Sequence, residues 1–385
     1  MKVLLYDTFR VIDAKGGTEK VFCNMANALV NLGYEVTVLI FEDKKGKPFF
    51  YLDSRVEFIN AGIGFDYNHT VNSFLALFSI SKYSRHIKRY EYKSKRIAEK
   101  IKPFLEQVNP DIIISFTVDG TAILKKFLRT KKPVITMCHF NAERIINDNK
   151  LSLSALEETE CIQTLLNRDV SIISLFINAK RFVTIPNVVP QYNVSSDLKS
   201  KTIITVGRIC PLQKRQHMLI EAWALISNKY PDWQVAIYGE THLNKEYFES
   251  MQNFIKENNL KNIEFCGTTN DIESKLRESS VFAFPSAFEG FPLALTEAMS
   301  MGLPSIGFKS CPAVNELIKD GNNGILCDDT VEALSHGLAE LMDDAEKRKL
   351  YGAQAREDMK EYTPEKIWNR WKELIDETVS EYKKK

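Results

Sequence analysis

The sequence predicts an α/β protein made of two doubly wound domains in tandem, and three observations carry that expectation. Short apolar runs alternate with stretches of helical periodicity along nearly the whole chain, the pattern of parallel sheets with helical crossovers. The chain has 385 residues, too long for a typical single domain and comfortable for two. The alternation breaks at the polar, aperiodic stretch 191–200 and then restarts.

Taken in order, residues 2–6 are an apolar run suited to a buried strand. A polar loop, 7–17, leads to a helix where Val21, Phe22, Met25, Leu29 and Leu32 recur at helical spacing and Gly33 closes it. Residues 35–41 form the next strand, giving a βαβ unit and hence a parallel sheet. Further strands are expected at 55–60, 111–116 and 133–138, with a later pair, 170–175 and 182–185, bracketing a short turn. This half ends at 186–190, so the first domain is assigned to 1–190.

Past the linker, 202–206 is a strand, followed by a helix lined by Met218, Leu219, Ala222, Leu225 and Ile226. Residues 235–238 are a strand, and Tyr247, Phe248, Met251, Phe254 and Ile255 mark the helix after it. Runs at 262–265, 281–284, 305–308 and 324–327 supply more strands, and helices at 333–342 and 346–362 complete a second domain, 201–362. The last helix, 365–382, places Ile367, Trp368, Trp371, Leu374, Ile375 and Val379 on one face. Two tryptophans need a substantial partner surface, and 365–385 is expected to return to the first domain. In such sheets ligands sit beyond the carboxyl ends of the strands. A cleft between two facing domains is therefore the expected active site.

Composition narrows the function classes. With 44% hydrophobic and 26% charged residues the chain is globular, and a net charge of +1 gives no push toward nucleic acid, which is not expected as a partner. The 7 cysteines are scattered without C-x-x-C pairs, as buried reduced thiols would be; neither a disulfide frame nor a zinc site is expected. Residues 1–6 already read as a strand, so no signal peptide is expected, and no apolar run reaches the ~20 residues of a membrane span. The expected location is cytoplasmic or peripheral on the inner face of the plasma membrane.

The most informative stretch is 284–304, FPSAFEGFPLALTEAMSMGLP. It leaves a strand, crosses a loop with Pro285, Ser286 and Gly290, and enters a helix with Pro292 expected at its first position. A helix start offers free N–H groups and partial positive charge, a seat for phosphate. Glu289 in the loop and Glu297 one turn inside are poor phosphate ligands but good partners for hydroxyls, as on ribose or a sugar. A surface loop with an amphipathic helix would carry a similar pattern.

Other segments add to this. Residues 14–19, AKGGTE, join the first strand to the first helix; Gly16 and Gly17 permit close backbone approach and Thr18 could cap the helix. Gly207-Arg208 follows a strand directly and Lys214 precedes the next helix, cations suited to a diphosphate leaving group. His139 ends an apolar strand, where a hydrogen-bonded structural histidine is the commoner occupant. Gly267-Thr268 follows another strand, with Asp271 placed to cap the next helix, and Asn187 in IPNVVP reads as structural. Residues 82–102 hold nine Lys/Arg against two Glu, next to the apolar patch 74–80. That combination suits either a solvated helix face or contact of 74–102 with an anionic bilayer.

The pattern of Glu289, seven residues, then Glu297 resembles the signature of glycosyltransferase family 4, retaining enzymes of the GT-B fold with two Rossmann-like domains. The resemblance covers nearly the whole chain and is strongest over 202–328. It implies that Glu289 contacts donor-sugar hydroxyls, Glu297 holds the ribose, and Arg208 and Lys214 stabilise the departing diphosphate. The Gly-Arg to Lys gap is one residue longer than in many members, leaving Arg215 as an alternative to Lys214. It implies further that Gly290, Phe291, Pro292 and Leu293 line the donor, their N–H groups assisting. His139 would lie near the donor sugar, Thr268 near the base, and Gly16 and Gly17 in a loop closing over donor phosphates and acceptor.

No D-x-D occurs, and neither metal nor other cofactor is expected. The implied activity is transfer of a hexose or N-acetylhexosamine from a nucleotide diphosphate sugar, UDP-linked, to a glycan or lipid-linked saccharide in cell-surface polysaccharide or lipopolysaccharide assembly. A sugar-nucleotide epimerase, a phosphorylase or a non-catalytic nucleotide-sugar-binding subunit would share the scaffold.

Overall fold

The computed structural model describes residues 1–7, 11–42, 44–62, 82–147 and 150–384. The chain divides into one unit of Met1–Pro186 with Ile367–Lys385, and another of Asn187–Lys366.

In the first unit seven strands, β1 Lys2–Tyr6, β2 Glu35–Ile40, β3 Glu57–Asn60, β4 Ile112–Ser115, β5 Val134–Cys138, β6 Cys161–Thr164 and β7 Phe182–Thr184, form a sheet in the order β3-β2-β1-β4-β5-β6-β7. All its pairings are parallel. β1 is an interior strand, third of the seven, with Leu4 opposite Thr37 on one side and Ile113 on the other. Leu4, Leu5, Ile113 and Ile114 are fully buried, as continuous apolar strands covered on both faces must be. Strand order reverses between β1 and β4, so the loops leaving those two strands diverge and open a crevice at their carboxyl ends.

The second unit repeats the plan with β8 Thr202–Val206, β9 Gln234–Tyr238, β10 Ile263–Gly267, β11 Val281–Phe284, β12 Ser305–Phe308 and β13 Gly324–Cys327. Their order is β10-β9-β8-β11-β12-β13, again all parallel, with the reversal between β8 and β11. The elements expected to carry chemistry, after β8 and after β11, therefore leave neighbouring strands at the same edge.

The final helix, Pro364–Lys383, buries Ile367, Trp371, Leu374, Ile375 and Val379. From Ile367 onward it belongs to the first unit, where Tyr34 donates its hydroxyl to Asp376 Oδ1 at 2.7 Å.

Three expectations are corrected: the strand at 170–175, the Thr18 cap and the place of Pro292. Residues 170–175 are not a strand: Asn167–Ile173 is a helix, and the strand is β6, just upstream. The aliphatic β-branched Val170, Ile172 and Ile173 suggest a strand, while Gln163 disguises the real one. Gln163 is fully buried but its amide donates to the carbonyls of Thr164 (2.8 Å) and Ile185 (2.6 Å), which lets a polar side chain sit in a core strand. The division between units falls at Pro186/Asn187, at the start of the 186–190 stretch where the first half is expected to end, and 191–200 belongs to the second unit. That polar stretch packs on the second unit, with Ser196 Oγ donating to Ser279 O at 2.6 Å. Thr18 does not cap the first helix; Gly16 is the N-cap of Gly17–Asn31. Pro292 is the N-cap of Leu293–Ser300 rather than its first residue.

Candidate active site

At the carboxyl edge of the second sheet, glycines set the backbone. A Cβ on Gly239 would lie 2.0 Å from the carbonyl oxygen of Gly207, so only glycine lets the two turns meet. Gly207 N–H donates to Tyr238 O at 2.9 Å. A Cβ on Gly207 would come within 3.2 Å of Lys214 Cδ and Cε; its absence leaves room for the lysine stem.

The loop between Arg208 and Arg215 is closed by Gln216, a 2% exposed side chain. Gln216 Oε1 accepts from Cys210 N–H (3.2 Å) and its Nε2 donates to Arg208 O (2.9 Å). Asn244 Nδ2 adds a bond to Ile209 O at 2.7 Å. Arg215 then takes a left-handed conformation, φ 47° and ψ 46°, as N-cap of the helix Gln216–Ile226.

That turn sends two adjacent cations to different places. Lys214 Nζ lies 2.7 Å from Glu289 Oε1 and 4.7 Å from the centre of the Phe284 ring. Arg215 instead pairs with Asp329 at 2.9 Å, donates to Pro285 O at 3.2 Å and covers Phe308. Lys214, and not Arg215, stands against Glu289; Arg215 ties three loops together.

Glu289 is buried, and its second oxygen accepts from Gln213 Nε2 at 3.3 Å. Gln213 is a site residue that no sequence signal marked. Cys311 also faces this corner; burial, then the Glu289 charge, pushes its thiol up to about 12. Ser286 Oγ is buried with no hydrogen-bond partner among the described residues.

Glu297 is buried on the helix Leu293–Ser300, whose start no side chain among the described residues caps. Phe291 is buried against Tyr362, and Gly290 and Leu293 are half-buried. Arg208 is exposed, and its guanidinium makes no ion pair among the described residues. Thr268 is exposed beyond β10, after Gly267 at φ 68°. The arrangement can therefore grip a polyanion with Arg208, Lys214 and the helix start, and hydroxyls with Glu289 and Glu297.

In the first unit His139 ends β5 and stacks on Phe116, ring centres 5.1 Å apart and planes 23° apart; Phe22 meets Phe116 edge-on at 4.6 Å. His139 Nε2 is shielded and without a hydrogen bond among the described residues, and burial pulls the imidazole down to about 4, so it is neutral near pH 7. Gly16 is half-buried and Gly17 exposed at their helix start; a Cβ on Gly16 would lie 2.2 Å from Glu19 Oε2. The approach to this loop is fixed by Glu42, whose buried carboxylate accepts the N–H groups of Val11 and of Ile12 (3.0 Å). Sequence reasoning did not find Glu42, because its role lies in backbone bonds.

The basic segment forms the helix Lys82–Val108, which buries Ile97, Ala98, Ile101 and Leu105 and exposes Arg89, Lys95, Arg96, Lys100 and Lys102. The apolar patch 74–80 lies outside the described residues. Among the described residues, no helix is long and apolar enough to cross a membrane, and no group of His, Cys, Asp and Glu is arranged to hold a metal ion.

Comparison with known proteins joins both units. Residues 193–358 match the family described as Glycosyl transferases group 1, and residues 15–189 the one described as Glycosyltransferase Family 4. A Haemophilus influenzae protein named an uncharacterized glycosyltransferase is 27% identical over 94% of this chain and 97% of its own. An alpha-1,4-N-acetyl-D-galactosaminyltransferase of Campylobacter jejuni, named for an acceptor on diNAcBac-PP-undecaprenol, is 23% identical over 94% and 95%. The fold of Anabaena HepE, solved in complex with UDP and glucose, superposes with a TM-score of 0.72 at 18% identity, over 98% of this chain and 99% of that one.

Proposed function

The chain belongs to the glycosyltransferases of family 4 and group 1, and from that premise we propose that it moves a hexose or N-acetylhexosamine from a UDP-sugar to a glycan or lipid-linked saccharide, with retention and without a metal. The observation that carries the proposal is the corner where Lys214 meets Glu289 at 2.7 Å, taken with Arg208, which makes no ion pair among the described residues, and a helix start that no described side chain caps.

In this reading Arg208 and Lys214 meet the negative charge that grows on the diphosphate as the anomeric C–O bond breaks. The N–H groups at the start of Leu293–Ser300 add to that field. Glu289 holds sugar hydroxyls, and its tie to Lys214 couples sugar position to the leaving group. Glu297 takes the ribose hydroxyls. The acceptor hydroxyl attacks the face the diphosphate leaves, its proton passing to the departing phosphate oxygen, so no protein nucleophile is required. His139, uncharged near pH 7, brings no positive charge of its own.

The HepE complex supports a uridine nucleotide as donor, and the Campylobacter relative supports a diphosphate-linked saccharide as acceptor. The exposed cations of Lys82–Val108 support peripheral contact with anionic lipid on the inner face of the plasma membrane.

The test is incubation with a panel of UDP- and GDP-sugars and saccharide acceptors, following nucleotide release and, by NMR, the anomeric configuration of the product. Glu289→Ala and Arg208→Ala should each abolish transfer. Transfer retained in both variants removes the site assignment, and an inverted product removes the same-face mechanism.

A further inference from the structure

The loop after β2 carries a feature that the transfer reading leaves unused. Phe49 is 44% exposed and Tyr51 74%, with Phe50 set edge-on to Phe49 at 5.2 Å. Large apolar side chains in water are unfavourable, by about 25 cal/mol per Å², and a slack loop would turn them inward.

This loop is not slack. Asn27 Oδ1 accepts from Asp53 N–H (2.7 Å) and its Nδ2 donates to Tyr51 O (3.0 Å). Arg55 locks Asp53 at 2.7 Å, and Asn60 Nδ2 donates to Lys44 O at 3.0 Å. The rings are therefore held outward by a hydrogen-bonded frame, which marks the surface as one kept for contact.

The frame is continuous with the Gly16-Gly17 loop. Ile12 bridges antiparallel to Pro48, and Lys15 Nζ lies 4.9 Å from the centre of the Phe49 ring. Lys45 and Lys47, both exposed, flank the aromatics, while the nearby Asp13 is already taken by Lys44 at 2.6 Å. A flat aromatic face, negative at its centre, suits the C–H face of a pyranose, and adjacent lysines suit phosphate.

We propose that residues 44–53 are an acceptor platform, with Phe49 and Tyr51 stacking on sugar rings while Lys15, Lys45 and Lys47 hold the acceptor's diphosphate. It rests on the transfer reading and specifies the acceptor as a saccharide diphosphate.

The probes are Glc, Gal, GlcNAc and GalNAc diphosphates with a short, non-micellar alkyl tail, measured by saturation-transfer NMR and tyrosine emission. At least one should bind the native protein. The double variant Phe49→Ala/Tyr51→Ala should weaken it about tenfold, and Lys45→Ala/Lys47→Ala should weaken it and flatten its salt dependence. A UDP-induced thermal shift, measured in parallel, should be unchanged in both variants. Failure of every probe to bind a UDP-competent protein, or undiminished binding in the variants, overturns the platform. Loss of phosphatidylglycerol vesicle binding, with saccharide binding intact, reassigns the loop to a membrane surface and also overturns it. A native protein that shows no UDP shift counts against the transfer reading, while saccharide binding still reports on the platform.

Discussion

Lys125–Glu160 in the first unit and Lys214–Glu289 in the second are both shielded ion pairs, with side-chain exposures of 7% and 12% against 15% and 8%. Their surroundings differ. Lys125 Nζ also donates to Lys132 O (3.2 Å), and Glu160 accepts from Val134 N–H (2.8 Å) and pairs with Lys180 (2.9 Å). Burial pulls the Lys125 ammonium down, partly offset by Glu160. For Glu160 burial works upward but is outweighed by Lys125, Val134 N–H and Lys180, which hold it below the usual carboxylate range. These partners fasten β5 to neighbouring segments. Lys214 and Glu289 lie on loops at a strand edge, and beyond each other they touch Gln213 and an aromatic ring. The first pair is woven into backbone; the second can trade partners for a ligand without unravelling a strand.

Breaking the first pair should give the largest effect on stability. Glu160→Ala leaves the shielded Lys125 ammonium without its carboxylate and is expected to cost about 3–5 kcal/mol in urea unfolding of the first unit, with the UDP binding proposed for the second unit retained. Breaking the second should reverse the pattern. Lys214→Met keeps the stem over Gly207 but leaves the Glu289 carboxylate with Gln213 alone; it is expected to reduce transfer about 10²–10³-fold and to lower the melting temperature less than Glu160→Ala does. Equal stability losses in the two variants would erase the distinction.

A smaller effect extends the comparison to His139, a half-buried imidazole shifted by desolvation and by no charged partner among the described residues. Its imidazole titrates at about 4 in the fold and near 6.5 unfolded. Between those values the unfolded chain binds the extra proton, so stability should fall as pH drops from about 6.5 to 4. His139→Phe keeps a ring on Phe116 and should flatten that slope in pH-dependent melting; an unchanged slope would show that His139 is not its source.

Much of the fold was legible because its strands are continuous apolar runs. β1, β8, β11, β12 and β13 have the boundaries expected from sequence. The difference at 170–173 arises where the apolar, β-branched Val170, Ile172 and Ile173 lie in a helix while a buried glutamine sits in the true strand. Periodicity reports side-chain polarity, and Gln163 is accommodated by carbonyls that only the sheet brings near it. Within the site, the Glu289…Glu297 spacing and the Gly207-Arg208 turn were readable as motifs. Gln213 and Gln216 were not, since glutamine in a polar loop is unremarkable until its amide is seen closing that loop.

From the amino-acid order alone came two tandem α/β units, their family resemblance, and the set of acidic and basic residues at the strand ends. These depend on local periodicity and short spacings, which a linear string preserves. Which of two neighbouring cations meets Glu289 was settled by tertiary structure, through a left-handed turn at Arg215 and the missing side chains of Gly207 and Gly239. A one-residue step along a loop reverses a side chain's direction, and only packing in three dimensions selects the step.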